Sequence, residues 1–414
     1  MRFTALTAAF LFISVSILIS EIVLELINNR TIKQSIGTPN LELMQSGVMI
    51  NTLQSMLYHL ALSHYSIVHK IVSTSFTWFM ILYGFDRMDF LARAFRLPSI
   101  GTGLLFIGFW AVTAYGVDLP FNLYYDFVLE ARFGFNKKTI AVFLSDTMKA
   151  FGIGVLLAGA FLTVTLYIMQ ELVSVKWLVM GFILILVFLC VQWIFPVMIL
   201  PLFHRVIPLD ERLKSRINQL LVEAGVTTRE VLAIDGSHRS EHANAFFTGF
   251  GKAKRIVIFD TLLSRIDEEE TLAVIAHEAG HYRLRHFHQR SVIVFFGLFV
   301  TLVLLAYLER MPDFHVSFGF VHPSDYASLT IFAMLLTEAI RFFQWYLNTL
   351  SRKQEYAADA FAVNLIGNPL PLIHALEKLH ECNLTVPVTH PAYASRFESH
   401  PNLNDRIAAI RRIP

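Results

Sequence analysis

Cysteine is nearly absent from this chain. Its two copies, Cys190 in an apolar run and Cys382 in a polar one, exclude a disulfide scaffold and a cysteine-rich metal site. Charge is scarce too: Asp, Glu, Lys and Arg make up 16% of the 414 residues and nearly cancel, to a net +2. So small a balance leaves no electrostatic footprint for nucleic acid, and no nucleic-acid partner is expected. Internal repeats and low-complexity tracts are missing. The apolar N-terminal stretch to about Ile27 has no A-x-A-like cleavage site and is longer than a signal-peptide core, so it is expected to be a retained first span. Asn383-Leu384-Thr385 matches a glycosylation acceptor, but so short a pattern arises by chance and carries no weight.

What the chain does have is apolar surface: 55% hydrophobic residues, 37 of them Phe, and a mean hydropathy of +0.54. That composition belongs to polytopic membrane proteins. Seven apolar runs, near 4–28, 66–85, 101–118, 150–170, 176–198, 290–308 and 327–349, each suit a span of ~20 residues. Asp118 and Pro120 cut the third short, and the aromatic-rich 121–128 either prolongs it or lies at the interface. The expected organisation is an N-terminal membrane domain, 1–198, with about five spans; a first polar segment, 199–289; two more spans within 290–349; and a second polar segment, 350–414. The two polar segments flank a pair of spans that returns the chain to the same side, so they can form one extramembrane domain. The fold class is therefore mainly α, a polytopic membrane protein with a smaller α+β domain. Arg132, Lys137, Lys138 and Lys149 lie in 131–149, whereas the connections 171–175 and 309–326 carry only Arg310. The positive-inside rule then turns the polar domain to the cytoplasm, although Arg87, Arg93 and Arg96 fall in a connection expected outside.

Residues 277–281 read His-Glu-Ala-Gly-His. Two histidines four apart on a helix share a face and can share one Zn²⁺, and Glu278 beside the first can take a proton from water at the open metal position. Asp267-Glu-Glu-Glu270 ahead of Thr271 reads as a helix start, with Asp267 as N-cap and Glu270 three residues on. A catalytic zinc needs a third protein ligand. Leu284 and Phe287 stand where the extended metzincin pattern requires glycine and histidine, and His286 and His288 read as interfacial side chains. Glu355 in Arg352-Lys-Gln-Glu-Tyr-Ala-Ala-Asp359 is preferred as the third ligand. It shares a helix face with Asp359, so that one binds metal while the other orients a ligand histidine. Glu338, an acid within an apolar span, is the rival. His59, His64, His69, Asp146, Lys149 and Glu338 lie in or beside apolar runs and are expected to face an aqueous chamber or one another.

With these residues placed, the chain resembles the integral-membrane zinc metalloproteases of the CAAX prenyl protease family over nearly its whole length. Besides the two metal motifs, the resemblance includes Phe133-Gly-Phe-Asn136, Asp235-Gly-Ser-His-Arg-Ser-Glu-His-Ala-Asn-Ala-Phe-Phe247, Arg255-Ile-Val-Ile-Phe-Asp-Thr-Leu-Leu263 and Ser399-His-Pro-Asn-Leu-Asn-Asp-Arg406. It implies one zinc held by His277, His281 and Glu355 with Glu278 as base, and seven helices around a water-filled chamber with the site at its cytoplasmic end, the polar segments 199–289 and 350–414 being the two catalytic segments of a zincin-like α+β domain. It also implies that Asn244 and Ala245 pair with the backbone of a peptide substrate, and that His400 and Arg406 stabilise its carbonyl or oxyanion. The residues add support: 243–250 and 254–260 read as strands around Gly251-Lys252, and an exposed edge can take up an extended peptide.

Eukaryotic members often carry a charged insertion before the metal helix, whereas here only Ser264 to Glu270 intervene, and no C-terminal retrieval signal is evident. A compact member fits a bacterial inner membrane, or the endoplasmic reticulum in a eukaryotic host. Its expected partners are the bilayer and a peptide or protein substrate, either prenylated or otherwise membrane-associated or misfolded. The alternatives are a bacterial stress-type membrane zinc protease with fewer spans, and a non-enzymatic seven-span receptor or transporter.

Overall fold

The computed structural model describes residues 3–37, 49–172, 174–249 and 254–413. Long helices dominate: α1 (Ala5–Gly37), α2 (Met49–Phe79), α3 (Phe85–Ala94), α4 (Ser99–Tyr124), α5 (Ile140–Glu171) and α6 (Lys176–Ile194) precede the sheet. After it come α8 (Glu268–Arg283), α9 (His286–Leu308), α10 (Asp325–Ile366), α11 (Leu370–Cys382), α12 (Pro391–Phe397) and α13 (Leu403–Ile410), with α7 (Glu211–Glu223) among the strands. All seven expected apolar runs lie on helices. Among the described residues, five helices are long and apolar enough to cross a membrane, α6 is apolar but shorter, and α2 is long but interrupted by polar residues. Pro120 does not end the third span: α4 runs through it and passes into a π-helical turn, Tyr125–Glu130. A proline leaves one carbonyl without its helical donor, and looser turns absorb that locally.

α1 explains the bundle's polarity. Its buried polar residues Thr7, Ser14, Glu21, Glu25 and Asn28 recur at heptad-like spacing, which places them on one face. Phe12, Ile19 and Leu26 cover the other face and are exposed, as a lipid-facing surface requires. The buried acids are paired. Glu21 accepts from Arg341 at 3.0 Å and from Arg396 at 2.8 Å, and Glu25 accepts from Lys70 at 3.0 Å and Ser63 at 2.6 Å. Thr4 bonds Ser317 at one end of α1, while Asn28 accepts from the His390 backbone at the other. The N-terminus thus lies at the end of the bundle opposite the catalytic segment.

The catalytic unit contains four strands, β1 (Val206–Ile207), β2 (Glu230–Ile234), β3 (Ala245–Thr248) and β4 (Arg255–Phe259), in the order β1-β2-β4-β3. β2 and β4 are parallel; β1 and β3 flank them antiparallel, which leaves β3 on an edge. The turn expected at Gly251-Lys252 lies outside the described residues. Ile256 and Ile258 of β4, Ile217 and Leu221 of α7, Ala273, Ala276 and Ala279 of α8, and Leu372 of α11 build one core. It draws on both polar segments, so 199–289 and 350–414 share a single interior.

Candidate metal centre

α8 is buried around most of its circumference, and its start is fixed by reciprocal capping. The Glu270 N–H donates to Asp267 at 2.9 Å, and the Asp267 N–H donates to the Glu270 carboxylate at 2.8 Å. α10 crosses it closely. A Cβ added to Gly280 would meet Ala358 Cα and carbonyl oxygen at 3.2 Å, so the glycine of the motif lets the two backbones approach. α10 is one 42-residue helix whose first half is span-like and whose second half carries Glu355 and Asp359. The third-ligand candidate therefore projects from the continuation of the last span.

Three side chains converge there. His281 Nε2 lies 3.1 Å from His277 Nε2 and 3.2 Å from Glu355 Oε1, and His277 Nε2 lies 3.5 Å from Glu355 Oε2. Tetrahedral zinc with bonds of about 2.0–2.2 Å keeps its ligand atoms about 3.3 Å apart, so the donor set fits the ion in type and spacing. Glu338, the rival ligand, is engaged elsewhere: it accepts from Arg341 at 3.1 Å and from Ser14 at 3.1 Å.

The surrounding groups set tautomers. His277 Nδ1 stands 2.8 Å from Asp359, which leaves the Nε2 lone pair facing the cluster. Asp359 is gripped in turn by Arg406, through Nη2 at 2.6 Å and Nε at 2.9 Å. His400 is mostly exposed and touches Glu355 Oε2 through Nδ1 at 2.8 Å. Arg406 and His400 are thus unlike in setting: one is locked behind the three converging side chains, the other lies on the open side. Burial works against protonating His277, but the hydrogen bonds its ring donates to Asp359 and Glu355 outweigh it and raise its pKa to about 9 in the metal-free protein. Burial also raises the Glu278 carboxyl; the nearby histidines oppose this and Glu355 reinforces it. A carboxylate lifted from its ordinary range is a stronger base at neutral pH.

One expectation is corrected. His286 is not interfacial: it is buried, with Nδ1 at 2.9 Å from His281 Nδ1. Arg285, in a left-handed conformation at φ +57°, breaks the helix and turns His286 back onto His281. A separation of five residues across a break has no helical signature, so the sequence held no signal for this contact. His288 is exposed, as expected. Asn244 and Ala245 stand at the start of the edge strand, where the Asn244 carbonyl accepts from the Phe259 N–H at 3.0 Å. β3 packs on the metal helix through Phe247 and Tyr282, whose ring centroids are 6.2 Å apart.

Comparison with known proteins agrees with this architecture. Residues 209–413 match the sequence model of peptidase family M48, and residues 51–205 match that of the CAAX prenyl protease N-terminal region, described as five membrane helices. A CAAX prenyl protease 1 homolog from Arabidopsis thaliana is 34% identical over 371 residues, covering 86% of each chain. CAAX prenyl protease 1 of Saccharomyces cerevisiae is 32% identical over 336 residues, covering 77% of this chain and 74% of its own. The crystal structure of S. mikatae Ste24p superposes with a TM-score of 0.89 at 29% identity, covering 99% of this chain and 100% of that one. The chain belongs to the CAAX prenyl protease family of M48 peptidases and is a multi-pass membrane zinc metalloendopeptidase.

Proposed function

We propose that the enzyme cleaves CAAX-type prenylated peptides at the cytoplasmic face of its membrane, with one zinc held by His277, His281 and Glu355. The observation that carries the ligand assignment is the convergence of these three donors within 4.8 Å of one another. Bound there, zinc would act as a Lewis acid and would lower the pKa of a water from 15.7 toward about 7. Glu278 accepts the proton of the attacking water and passes it to the leaving amine. Asp359 orients His277, and Arg406 holds Asp359. His400, on the open side, donates to the carbonyl oxygen as charge develops, and Arg406 adds positive charge from behind. Ala245 on the edge strand pairs with the extended peptide backbone. The Asn244 carbonyl is already taken by the Phe259 N–H, which corrects the expectation of backbone pairing at Asn244 and leaves it only its side chain for substrate.

The substrate class rests on the relatives' named activity and on a cavity of about 1880 Å³ between α3, α4 and α5. Apolar Leu105, Val112, Phe151 and Val155 line it, and Asp126, Lys138 and Asp146 stand at one end. Asp146 pairs with Arg239 of the catalytic segment at 2.9 Å, so this cavity reaches the catalytic side, and its volume is ample for an isoprenoid chain. The four basic residues of 131–149 favour that side as cytoplasmic. The short lead-in to α8 favours a bacterial inner membrane; a eukaryotic host would place the enzyme in the endoplasmic reticulum. Misfolded or other membrane-associated peptides are the second substrate class. Purified enzyme in detergent, given matched farnesylated and unmodified peptides and followed by mass spectrometry, tests the preference. Equal cleavage of both would overturn the prenyl assignment.

The catalytic assignment has its own test. Glu278→Gln should keep about one zinc per chain while losing nearly all turnover; near-normal cleavage would remove Glu278 from the role of base.

A further inference from the structure

The free edge of β3 is not open along its whole length. In an antiparallel pair, alternate residues turn both backbone groups to the partner and those between turn them away. The Phe259 N–H donates to the Asn244 carbonyl, so Asn244 and Phe246 face β4. Ala243, Ala245 and Phe247 therefore present their N–H and C=O to the outer edge. At Ala243 that edge is already filled by a side chain. Asn383, just past the end of α11, accepts from the Ala243 N–H at 3.0 Å and donates to the Ala243 carbonyl at 3.2 Å. One carboxamide makes both bonds that a neighbouring strand would make.

Further back, the protein fills the edge with its own backbone. The Glu241 N–H donates to the Phe135 carbonyl and the Lys137 N–H to the Arg239 carbonyl, both at 3.1 Å, and Asn136 bridges Ser240. Asn383 is itself held. Its Oδ1 lies 3.3 Å from His242 Nδ1, and the other nitrogen of that ring lies 3.1 Å from Glu130 at the end of the third span. The Phe135 ring stacks on His242 at 3.9 Å between centroids. Every outward position before Ala245 is thus occupied by this chain.

We infer that Asn383 is an edge stop: its amide stands in for a strand at Ala243 and confines a backbone-paired substrate to Ala245 and Phe247. This deepens the proposed function and rests on its strand-addition step. Asn383 need not touch substrate. It is a positioning residue that limits how many backbone bonds a peptide can form, and so keeps recognition short and leaves selectivity to the rest of the substrate.

The test is a backbone N-methyl scan. Zinc-loaded enzyme in detergent is assayed on a ten-residue peptide that it cleaves and on derivatives methylated at one backbone nitrogen at a time. In the unmodified enzyme, kcat/KM should fall about five-fold or more at two alternating positions, since each lost bond is worth about that much. In Asn383→Ala a third alternating position should become sensitive, by about five-fold, with the first two unchanged. Asn383→Ser withdraws the side chain from both the Ala243 N–H and the Ala243 carbonyl while keeping a polar group at the end of the helix. It should show the same third position and serves if the alanine variant loses its zinc. Identical two-position footprints in the unmodified enzyme and both variants would overturn the edge stop alone. Insensitivity at every position in the unmodified enzyme would overturn strand addition and the edge stop with it.

Discussion

At the residue scale, the two groups that the C-terminal motif contributes are predicted to fail differently. His400 is exposed and touches the cluster only at Glu355, so His400→Ala should lower kcat by about 10²–10³ with zinc retained. Arg406 is buried in a double hydrogen bond to Asp359, which orients His277, so Arg406→Ala should also weaken zinc binding. Steady-state kinetics beside metal analysis separates the two; equal zinc loss in both variants would contradict the distinction. His277 gives a pH prediction. Its pKa is about 9 in the metal-free fold, against 6.5 ordinarily, so the folded apoprotein holds a proton between those values that the unfolded chain releases. That stabilisation of the apoprotein is full below 6.5 and lost as pH rises through 9. Zinc needs the neutral ring, so binding at pH 7–8 should expel about one proton, and zinc affinity should rise with pH up to about 9. Calorimetry in buffers of different ionisation enthalpy counts that proton; zero uptake or release would refute the account.

At the scale of elements, one glycine decides how closely α8 and α10 cross. Gly280→Ala puts a methyl 3.1–3.2 Å from Phe361 and the Ala358 backbone, and Gly280→Val cannot be accommodated without separating the helices. The expected result is graded: modest loss for alanine, and for valine a stability loss of about 1–3 kcal/mol with much weaker zinc binding. Valine with unchanged thermal stability and zinc content would show that the crossing tolerates expansion. The helix that breaks at Arg285 has the opposite character. There a strained conformation is retained, and it delivers His286 to His281.

At the scale of the whole molecule, the bundle is held by polar groups within the spans, and its cavity is lined mostly by apolar ones with Asp126, Lys138 and Asp146 at one end. The ionisable residues beside the apolar runs mostly find partners: His69 with Asp118 at 2.9 Å, Asp146 with Arg239 at 2.9 Å, Glu338 with Arg341 at 3.1 Å. These residues therefore need no lumen to be satisfied, and the chamber stands on the cavity itself. Glu21 joins α1 to α10 and α12 through Arg341 and Arg396. Glu21→Leu would take the carboxylate from Arg396 and leave Arg341 with Glu338 alone, and should cost about 1–3 kcal/mol, read as a lower unfolding temperature in detergent. A Cβ on Gly154 in the cavity wall meets nothing within 4 Å, so Gly154→Phe can project into the space without disturbing the fold. If the cavity holds the isoprenoid, that variant should lose about tenfold in kcat/KM on a farnesylated peptide and little on its unmodified counterpart. Equal losses on both would empty the cavity of that role.

The sequence by itself determined the elements and their chemistry. Apolar runs of membrane length, the Asp267–Glu270 cap, two histidines one helical turn apart and the Glu355–Asp359 pair are all local patterns, set by side-chain type and helical period. Even the polar heptad of α1 was written there, though a hydropathy window averages it away. Tertiary structure decided what no local period encodes. It brought Glu355, and not Glu338, within reach of His277 and His281, because α10 crosses α8 at Gly280 at the level of the histidines. It turned His286 inward through a break at Arg285, and it laid Asn383, 140 residues away in sequence, against the edge of Ala243. Such contacts depend on the angle and depth at which helices and strand ends meet. Those are fixed only when the whole core is packed, because the free energy that sets them is shared among many residues rather than carried by any one.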